Sequence, residues 1–152
     1  MTLHFAYGAN MSRAVMRRYA PEARALGIAA LAGHRFIITA DGYASVETWR
    51  GSTVHGVLWQ ITPRDRVSLD TWENVESGLY RAAMLAVTCD GRRRPALVYL
   101  ARPGRDGRPK PGYIELVAAA AREWALPEAY VQRLQMWSPR PGADTRKIGE
   151  FR

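Results

Sequence analysis

At the centre of the chain lies the stretch Leu69-Asp70-Thr71-Trp72-Glu73-Asn74-Val75-Glu76-Ser77-Gly78-Leu79-Tyr80-Arg81. We predict that it contains the functional residues and that the remaining residues fold around it. A helix is predicted to begin just before it, at Thr62-Pro63-Arg64-Asp65. Three features favour a helix start here: a hydroxyl at the N-cap, a proline in the first turn and a carboxylate near the positive end of the helix dipole. Helical spacing then puts Leu69 and Trp72 on one face and places Glu73 beside this apolar stripe.

That position makes Glu73 a candidate acid–base group. Partial burial raises the pKa of a carboxyl group and makes it a better proton acceptor, which an enzyme base needs. The alternative is that Glu73 ends a helix at the surface, near Arg66 or Arg81. The residue pattern alone leaves both interpretations open.

Length and composition describe one folded domain. A chain of 152 residues, 47% apolar and 24% charged, is long enough to bury a single core and is unlike a disordered chain. No apolar run is long enough to cross a bilayer, and residues 1–6 lack the pattern of a signal peptide, so we expect a cytoplasmic protein without membrane association. Cys89 has no partner at metal-ligand spacing, and His4, His34 and His55 are expected to be packed or hydrogen-bonded, so no metal site is predicted.

The net charge of +8 raises the possibility of an anionic partner such as nucleic acid. The basic residues are dense at Arg92-Arg93-Arg94 and again in residues 102–110, and both clusters lie in segments rich in glycine and proline. A groove that follows a phosphate backbone more often has aromatic residues among the basic ones. The pattern therefore favours a solvated, arginine-rich loop edge over a nucleic-acid site.

The first residues predict a strand, a tight loop and a helix. The apolar run Leu3-His4-Phe5-Ala6 is followed by Tyr7-Gly8-Ala9-Asn10-Met11, and Ser12 can cap a helix over residues 13–19. Backbone N–H groups in a loop of this type can bind a carboxylate or a developing oxyanion. The alternative is an ordinary turn in which the tyrosine packs and the asparagine closes an Asx-turn.

Together with the first run, the alternating and apolar segments predict about six or seven strands. The further segments are residues 25–31, 35–39, 43–49, 54–61, 80–88 and 95–101. Helices do not alternate strictly with these strands, which favours a mixed α+β arrangement over a doubly wound parallel sheet.

The last third of the chain is predicted to be a helix pair that closes over the sheet. Apolar residues recur at helical spacing from Tyr113 to Trp124, and a second segment follows Leu126-Pro127. From residue 138 onward the periodicity is lost. We therefore predict a single domain over residues 1–137 and a tail or strap over residues 138–152.

In their order and spacing, the sequence motifs of residues 4–137 resemble those of the γ-glutamylcyclotransferase-like family. Tyr7-Gly8-Ala9-Asn10-Met11 is similar to the family's Tyr-Gly-Ser-Asn-Leu/Met loop, and Gly56-Val57-Leu58-Trp59 resembles the strand before its central helix. The family's Leu-Asp, Glu-Gly-Val and Gly-x-Tyr run is similar to Leu69-Asp70, Glu73-Asn74-Val75 and Ser77-Gly78-Leu79-Tyr80.

The resemblance implies a fold and a set of site residues. The fold would be α+β, with a small mixed β-barrel-like sheet flanked by helices. Glu73 would be catalytic, and the substrate-binding residues would be Tyr7, Gly8, Ala9, Asn10, Tyr80 and Tyr130.

Two residues depart from the family pattern. Asn74 replaces the glycine after the glutamate, and Asn tolerates the positive φ that a glycine there would permit. Ala9 replaces a serine, so any hydroxyl contact is lost while the backbone donors remain.

By the same resemblance, the α-amine of a small γ-glutamyl substrate attacks its own side-chain carbonyl and releases 5-oxoproline with a free amine or amino acid. This reaction requires neither a metal nor a cofactor. Two other functions stay open: a non-catalytic small-molecule or protein-binding module on the same fold, and a basic nucleic-acid-binding protein whose affinity would fall steeply with salt. The residue pattern does not specify the oligomeric state.

Overall fold

The structure, a computed structural model, describes residues 1–138 and has a closed barrel at its centre. Within those residues the barrel has five strands: β1 (Thr2–Ala6), β2 (Arg24–Ile38), β3 (Ala44–Ile61), β4 (Tyr80–Cys89) and β5 (Arg92–Ala101). The helices of the same region are α1 (Arg13–Tyr19), α2 (Pro63–Trp72), α3 (Tyr113–Glu123) and α4 (Glu128–Gln135). The predicted α+β class, with a small barrel flanked by helices, is confirmed.

The strand count is five instead of six or seven because two long strands join four of the predicted segments. Between Ala32↔Thr53 and His34↔Thr48 the β2–β3 register shifts. Gly33 has φ 75° at this shift. Glycine adopts that left-handed conformation at little cost, so it bends the ladder there without ending it.

The sheet closes through two seams. β1 pairs antiparallel with β3 along its length and parallel with β5 at His4 and Leu97. On the other side, β2 pairs with β4 at Ala30 and Thr88. The strand order around the barrel is therefore β1-β3-β2-β4-β5.

The end of β1 approaches β3 very closely at Gly56. A Cβ atom at this position would lie 2.2 Å from the Ala6 carbonyl oxygen, so a larger residue would push the two strands apart. The loop that begins at Tyr7 leaves the barrel from this contact. Its starting point is therefore fixed by the backbone of β3.

The predicted start of α2 is confirmed. The Thr62 hydroxyl accepts a hydrogen bond from the Asp65 N–H at 3.1 Å, and the Asp65 carboxylate accepts one from the Thr62 N–H at 3.3 Å. This reciprocal pair satisfies donors that a helix start leaves open. At the other end, α2 stops at Trp72, and Glu73 is its C-cap residue.

The predicted helix pair is also confirmed, as α3 and α4. No helix among residues 1–138 is long and apolar enough to cross a membrane. Residues 139–152 of the predicted tail lie outside the described residues. The division into a domain of residues 1–137 and a tail or strap stays a prediction.

Candidate active site

A narrow cavity lies between the loop after β1 and the end of α2. It is lined by six of the residues predicted for the site: Tyr7, Gly8, Ala9, Asn10, Glu73 and Tyr80. The other lining residues are His4, Phe5, Ala44, Trp72, Tyr99 and Tyr113. The free volume of this space, which we call the Glu73 cavity, is about 10 Å³. That is enough for one water molecule.

Glu73 owes its position to the way α2 ends. Its N–H donates to the Leu69 carbonyl at 2.8 Å, and only 4% of the residue is exposed. The next residue, Asn74, has φ 53° and turns the chain away from the helix axis. On the other side, Trp72 stacks on Tyr19 with ring centroids 5.0 Å apart. The carboxylate is therefore buried at the edge of a packed aromatic pair, while Glu76 beyond the turn is exposed.

The loop after β1 presents backbone donors to the same cavity. Within the described part of the chain, the N–H groups of Gly8, Ala9 and Asn10 donate to no protein acceptor. The loop is nevertheless fixed, because the Tyr7 hydroxyl donates to the Tyr99 carbonyl and the Met11 N–H donates to the Gly8 carbonyl. Backbone donors of this kind at a rigid turn can stabilise an anionic oxygen, or an oxygen on which negative charge develops during a reaction.

His4 connects β1, β5 and the loop. Its Nδ1 lies 3.2 Å from the Leu97 carbonyl oxygen, and its Nε2 lies 2.9 Å from Asn10 Nδ2. A carbonyl oxygen only accepts, so Nδ1 carries the proton and Nε2 accepts from the Asn10 amide. Burial lowers the pKa of His4 to about 4, and the ring is neutral at pH 7. The expectation that His4 is hydrogen-bonded is confirmed, and its partner is a residue predicted for the site.

Tyr99 also lines the cavity, although it was not among the predicted site residues. Its hydroxyl donates to Asp70 Oδ1 at 2.6 Å, and Asp70 is ion-paired with Arg66 at 3.1 Å. Burial and the neighbouring Asp70 carboxylate both raise the pKa of Tyr99, so the phenol stays protonated. The available sequence signal was a tyrosine among the buried apolar residues of β5, since a buried tyrosine hydroxyl normally has a partner.

The two predicted pocket tyrosines lie in different places. Tyr80 lines the Glu73 cavity and donates its hydroxyl hydrogen bond to the Ala44 carbonyl at 2.5 Å. Tyr130 is not brought to this cavity. It lies on α4, where its ring packs edge-on against His55 with centroids 4.8 Å apart. The difference arises because α4 packs over residues 52–55 of β3, away from the loop after β1.

The family model described as "AIG2-like family" matches residues 53–134, which is more than half of the chain and includes Glu73. This chain belongs to the AIG2-like family. Together with the relatives and solved structures described next, this match confirms the resemblance to γ-glutamylcyclotransferase-like proteins. Among residues 1–138, no three His, Cys, Asp or Glu side chains lie together in a way that could hold a metal ion.

Individual relatives agree with the family assignment. The γ-glutamylcyclotransferase of Homo sapiens is 27% identical over 148 residues, covering 90% of this chain and 79% of the human protein. That of Mus musculus is 30% identical over 99 residues, covering 64% of this chain and 53% of the mouse protein.

Solved structures show the same architecture. A γ-glutamyl cyclotransferase superposes with a TM-score of 0.88 and 26% identity, over 98% of this chain and 94% of that chain. An AIG2-like protein of Mus musculus superposes with a TM-score of 0.59 over 69% of this chain and 80% of that one. At 18% identity this second likeness concerns the fold alone.

Proposed function

We propose that the protein is a γ-glutamyl cyclotransferase, which converts a small γ-glutamyl amide into 5-oxoproline and a free amine or amino acid. The observation that supports this most directly is the content of the Glu73 cavity. Glu73, a residue that is 4% exposed, lines that space together with Gly8, Ala9 and Asn10, which carry backbone N–H donors. The similarity to proteins named γ-glutamylcyclotransferase supports the same reaction.

Glu73 is assigned as the general acid and base. The α-amine of the substrate is protonated in solution and becomes a nucleophile only after it loses a proton. That first proton passes to solvent, and the Glu73 carboxylate accepts a second proton from the nitrogen as the neutral amine attacks the γ-carbonyl carbon and the new carbon–nitrogen bond forms. It then returns a proton to the amide nitrogen as the carbon–nitrogen bond breaks, so one carboxylate serves both steps.

The loop after β1 is assigned to the oxygen of the attacked carbonyl. This oxygen becomes negatively charged in the tetrahedral intermediate. A preformed backbone donor in such a position contributes about 3 kcal/mol to the stability of the transition state. The hydrogen bond between His4 and Asn10 keeps the loop in place, so the donors need not reorganise during the reaction.

The small volume of the Glu73 cavity also bears on this proposal. A space of about 10 Å³ holds a water molecule but no glutamyl group, so an aromatic wall must move when substrate binds. Once bound, the glutamyl chain would be held tightly in its folded, near-attack shape. That restriction lowers the entropic part of the barrier to cyclisation.

The test is the release of 5-oxoproline from a panel of γ-glutamyl amino acids, amines and peptides. Each substrate is paired with its N-acetylated form, in which the α-nitrogen is acylated and no longer nucleophilic. We expect release from at least one free-amine substrate and none from its acetylated partner. Absence of 5-oxoproline with the whole panel, or cleavage of the acetylated forms at the same rate, would overturn the proposal.

A further inference from the structure

His4 lines the Glu73 cavity and joins three parts of the chain. The residue is buried on β1, its Nδ1 lies 3.2 Å from the Leu97 carbonyl oxygen of β5, and its Nε2 lies 2.9 Å from Asn10 Nδ2 in the loop. Because a carbonyl oxygen can only accept a hydrogen bond, the proton of the neutral ring is on Nδ1. The lone pair of Nε2 therefore faces Asn10.

This fixed tautomer sets the orientation of the Asn10 amide. Only the NH₂ group can donate to a lone pair, and an amide turned by half a rotation would bring its oxygen against Nε2. In the part of the chain that the structure describes, His4 is the hydrogen-bond partner of the Asn10 side chain, and the amide oxygen accepts no bond from the protein. Since Asn10 lines the cavity, this oxygen is available to a ligand there.

The cavity thus offers two opposite kinds of polar group. The backbone N–H groups of the loop donate, whereas the Asn10 amide oxygen and the Glu73 carboxylate accept. The donors suit the oxygen of the attacked carbonyl, and the acceptors suit a group that carries N–H bonds. A neutral amine has two N–H bonds and one lone pair. Two acceptors, one for each N–H, therefore fix the direction in which the lone pair points.

From these observations we infer that His4 is a positioning residue for the attacking amine and acts by turning the Asn10 amide oxygen toward the substrate. Asn10 Oδ1 accepts one N–H of the α-amine, the Glu73 carboxylate accepts the other, and the nitrogen lone pair is directed at the γ-carbonyl carbon. His4 itself exchanges no proton with the substrate. The inference rests on the proposed cyclotransferase activity. It adds that the site needs a hydrogen-bond acceptor at the position of His4 Nε2.

Two substitutions of His4 separate this role from simple support of the fold. The amide of an asparagine lies close to the position of Nδ1, so His4→Asn keeps a donor for Leu97 but has no acceptor for Asn10. The longer glutamine places an amide oxygen near the position of Nε2, where it accepts from Asn10. His4→Asn should lower kcat/KM for γ-glutamylalanine about fivefold, the size expected for one lost hydrogen bond, and His4→Gln should restore it to within about twofold of wild type.

Ligand binding gives a second measurement that needs no turnover. Glutarate is L-glutamate without the α-ammonium group, so the two acids differ only in the group that Asn10 is inferred to bind. By calorimetry, His4→Asn should weaken the binding of L-glutamate about fivefold and leave that of glutarate within twofold, and His4→Gln should change neither. Asn10→Ala should weaken L-glutamate by the same factor. The double variant His4→Asn/Asn10→Ala should bind it no more weakly than Asn10→Ala alone, because both changes remove one interaction.

The matched control is His55→Asn, because His55 packs on Tyr130 away from the cavity, and both affinities should stay unchanged. Wild-type protein that binds L-glutamate no more tightly than glutarate would overturn the inference while 5-oxoproline release persists. Equal losses for the two acids in His4→Asn and in Asn10→Ala, or no rescue in His4→Gln, would overturn it as well. No 5-oxoproline from the whole substrate panel would instead overturn the proposed function, and this inference with it.

Discussion

The Glu73 cavity and a larger cleft lined by Arg81, Arg102 and Arg105, which we call the arginine cleft, share Tyr80 as a lining residue but differ in size, cover and charge. The cavity has a volume of about 10 Å³ and is walled by buried groups such as His4 and Tyr99. The cleft has a volume of about 590 Å³ and carries exposed arginines. Buried polar groups interact with little screening, whereas exposed charges are weakened by water and salt.

This difference separates an enclosed site suited to chemistry from a charged and solvated surface. A change in the Glu73 cavity should affect every substrate alike and should be insensitive to salt. A change in the arginine cleft should leave the turnover of every substrate within about twofold of wild type. Variants of the two regions can break this separation.

The largest effect is expected for Glu73→Gln, which keeps the size of the side chain but removes its ability to accept a proton. The kcat for γ-glutamylalanine and for γ-glutamylalaninamide should fall by the same factor, about 10²- to 10⁴-fold. Thermal unfolding should stay close to that of the wild type.

The control is the exposed Glu76, because Glu76→Gln should leave kcat within a few-fold of wild type. Full activity in Glu73→Gln, or loss of activity in Glu76→Gln, would show that the catalytic carboxylate lies elsewhere.

The next effect concerns His4 and the pH dependence of stability. The pKa of His4 is about 4 in the folded protein and about 6.5 when the chain is unfolded, so between these values only the unfolded chain binds the proton. Stability should therefore fall as the pH drops from about 6.5 to about 4, by about 3 kcal/mol in total. Above pH 6.5 this group makes no contribution.

Urea unfolding at pH 7.0 and at pH 4.0 measures that loss in the wild type and in His4→Phe and His4→Gln. Both variants lack the imidazole and should lose about 3 kcal/mol less than the wild type over this interval. Identical pH dependence in all three proteins would mean that the pKa of His4 is the same in the folded and unfolded states.

A smaller effect is expected in the turn that carries Glu73 out of α2. Asn74 has φ 53°, which an alanine adopts at a cost of about 1–2 kcal/mol and a glycine adopts freely. Asn74→Ala should lower the free energy of unfolding by about that amount, and Asn74→Gly should stay within about 0.5 kcal/mol of the wild type. Equal stability of the two variants in urea would mean that the turn relaxes to another conformation.

The smallest effect is expected for Arg81→Gln in the arginine cleft. Because the arginine is exposed and follows Tyr80 in β4, its side chain lies on the opposite face of the strand, and kcat/KM for γ-glutamylalanine and for γ-glutamylalaninamide should stay within about twofold of wild type. The same should hold in 0.5 M NaCl. A larger loss of equal size for both substrates would indicate that the substitution disturbs Tyr80.

Local signals in the sequence predicted much of the fold. Thr62, Pro63 and Asp65 marked the start of α2 because caps depend on adjacent residues alone. The number of strands could not be predicted in the same way. A glycine such as Gly33 is compatible both with a strand end and with a bulge, and only the pairing across the sheet distinguishes them.

The candidate site was also predictable only in part, because some of its contacts join residues that are far apart in the sequence. The approach of Glu73 to the Tyr7–Asn10 loop followed from the family resemblance, and the structure brings these groups to one cavity. The hydrogen bonds that join β1 and its loop to β5, at His4 and at Tyr99, escaped prediction because the two partners of each are distant in sequence. The bond between His4 and Leu97 spans 93 residues, and that between Tyr7 and Tyr99 spans 92. The position of Tyr130 likewise depends on which part of β3 supports α4.

The seam between β1 and β5 also has a consequence for the order of folding. The β4–β5 hairpin pairs residues as close as Cys89 and Arg92, so it can form early, whereas His4 must find Leu97 across a much longer loop. The enclosed site is then completed only when this late contact forms, and a growing chain cannot assemble it before β5 has been synthesised. Pulse-labelled hydrogen exchange during refolding should show β4–β5 amides protected before those of β1. The reverse order would place the seam in the folding nucleus.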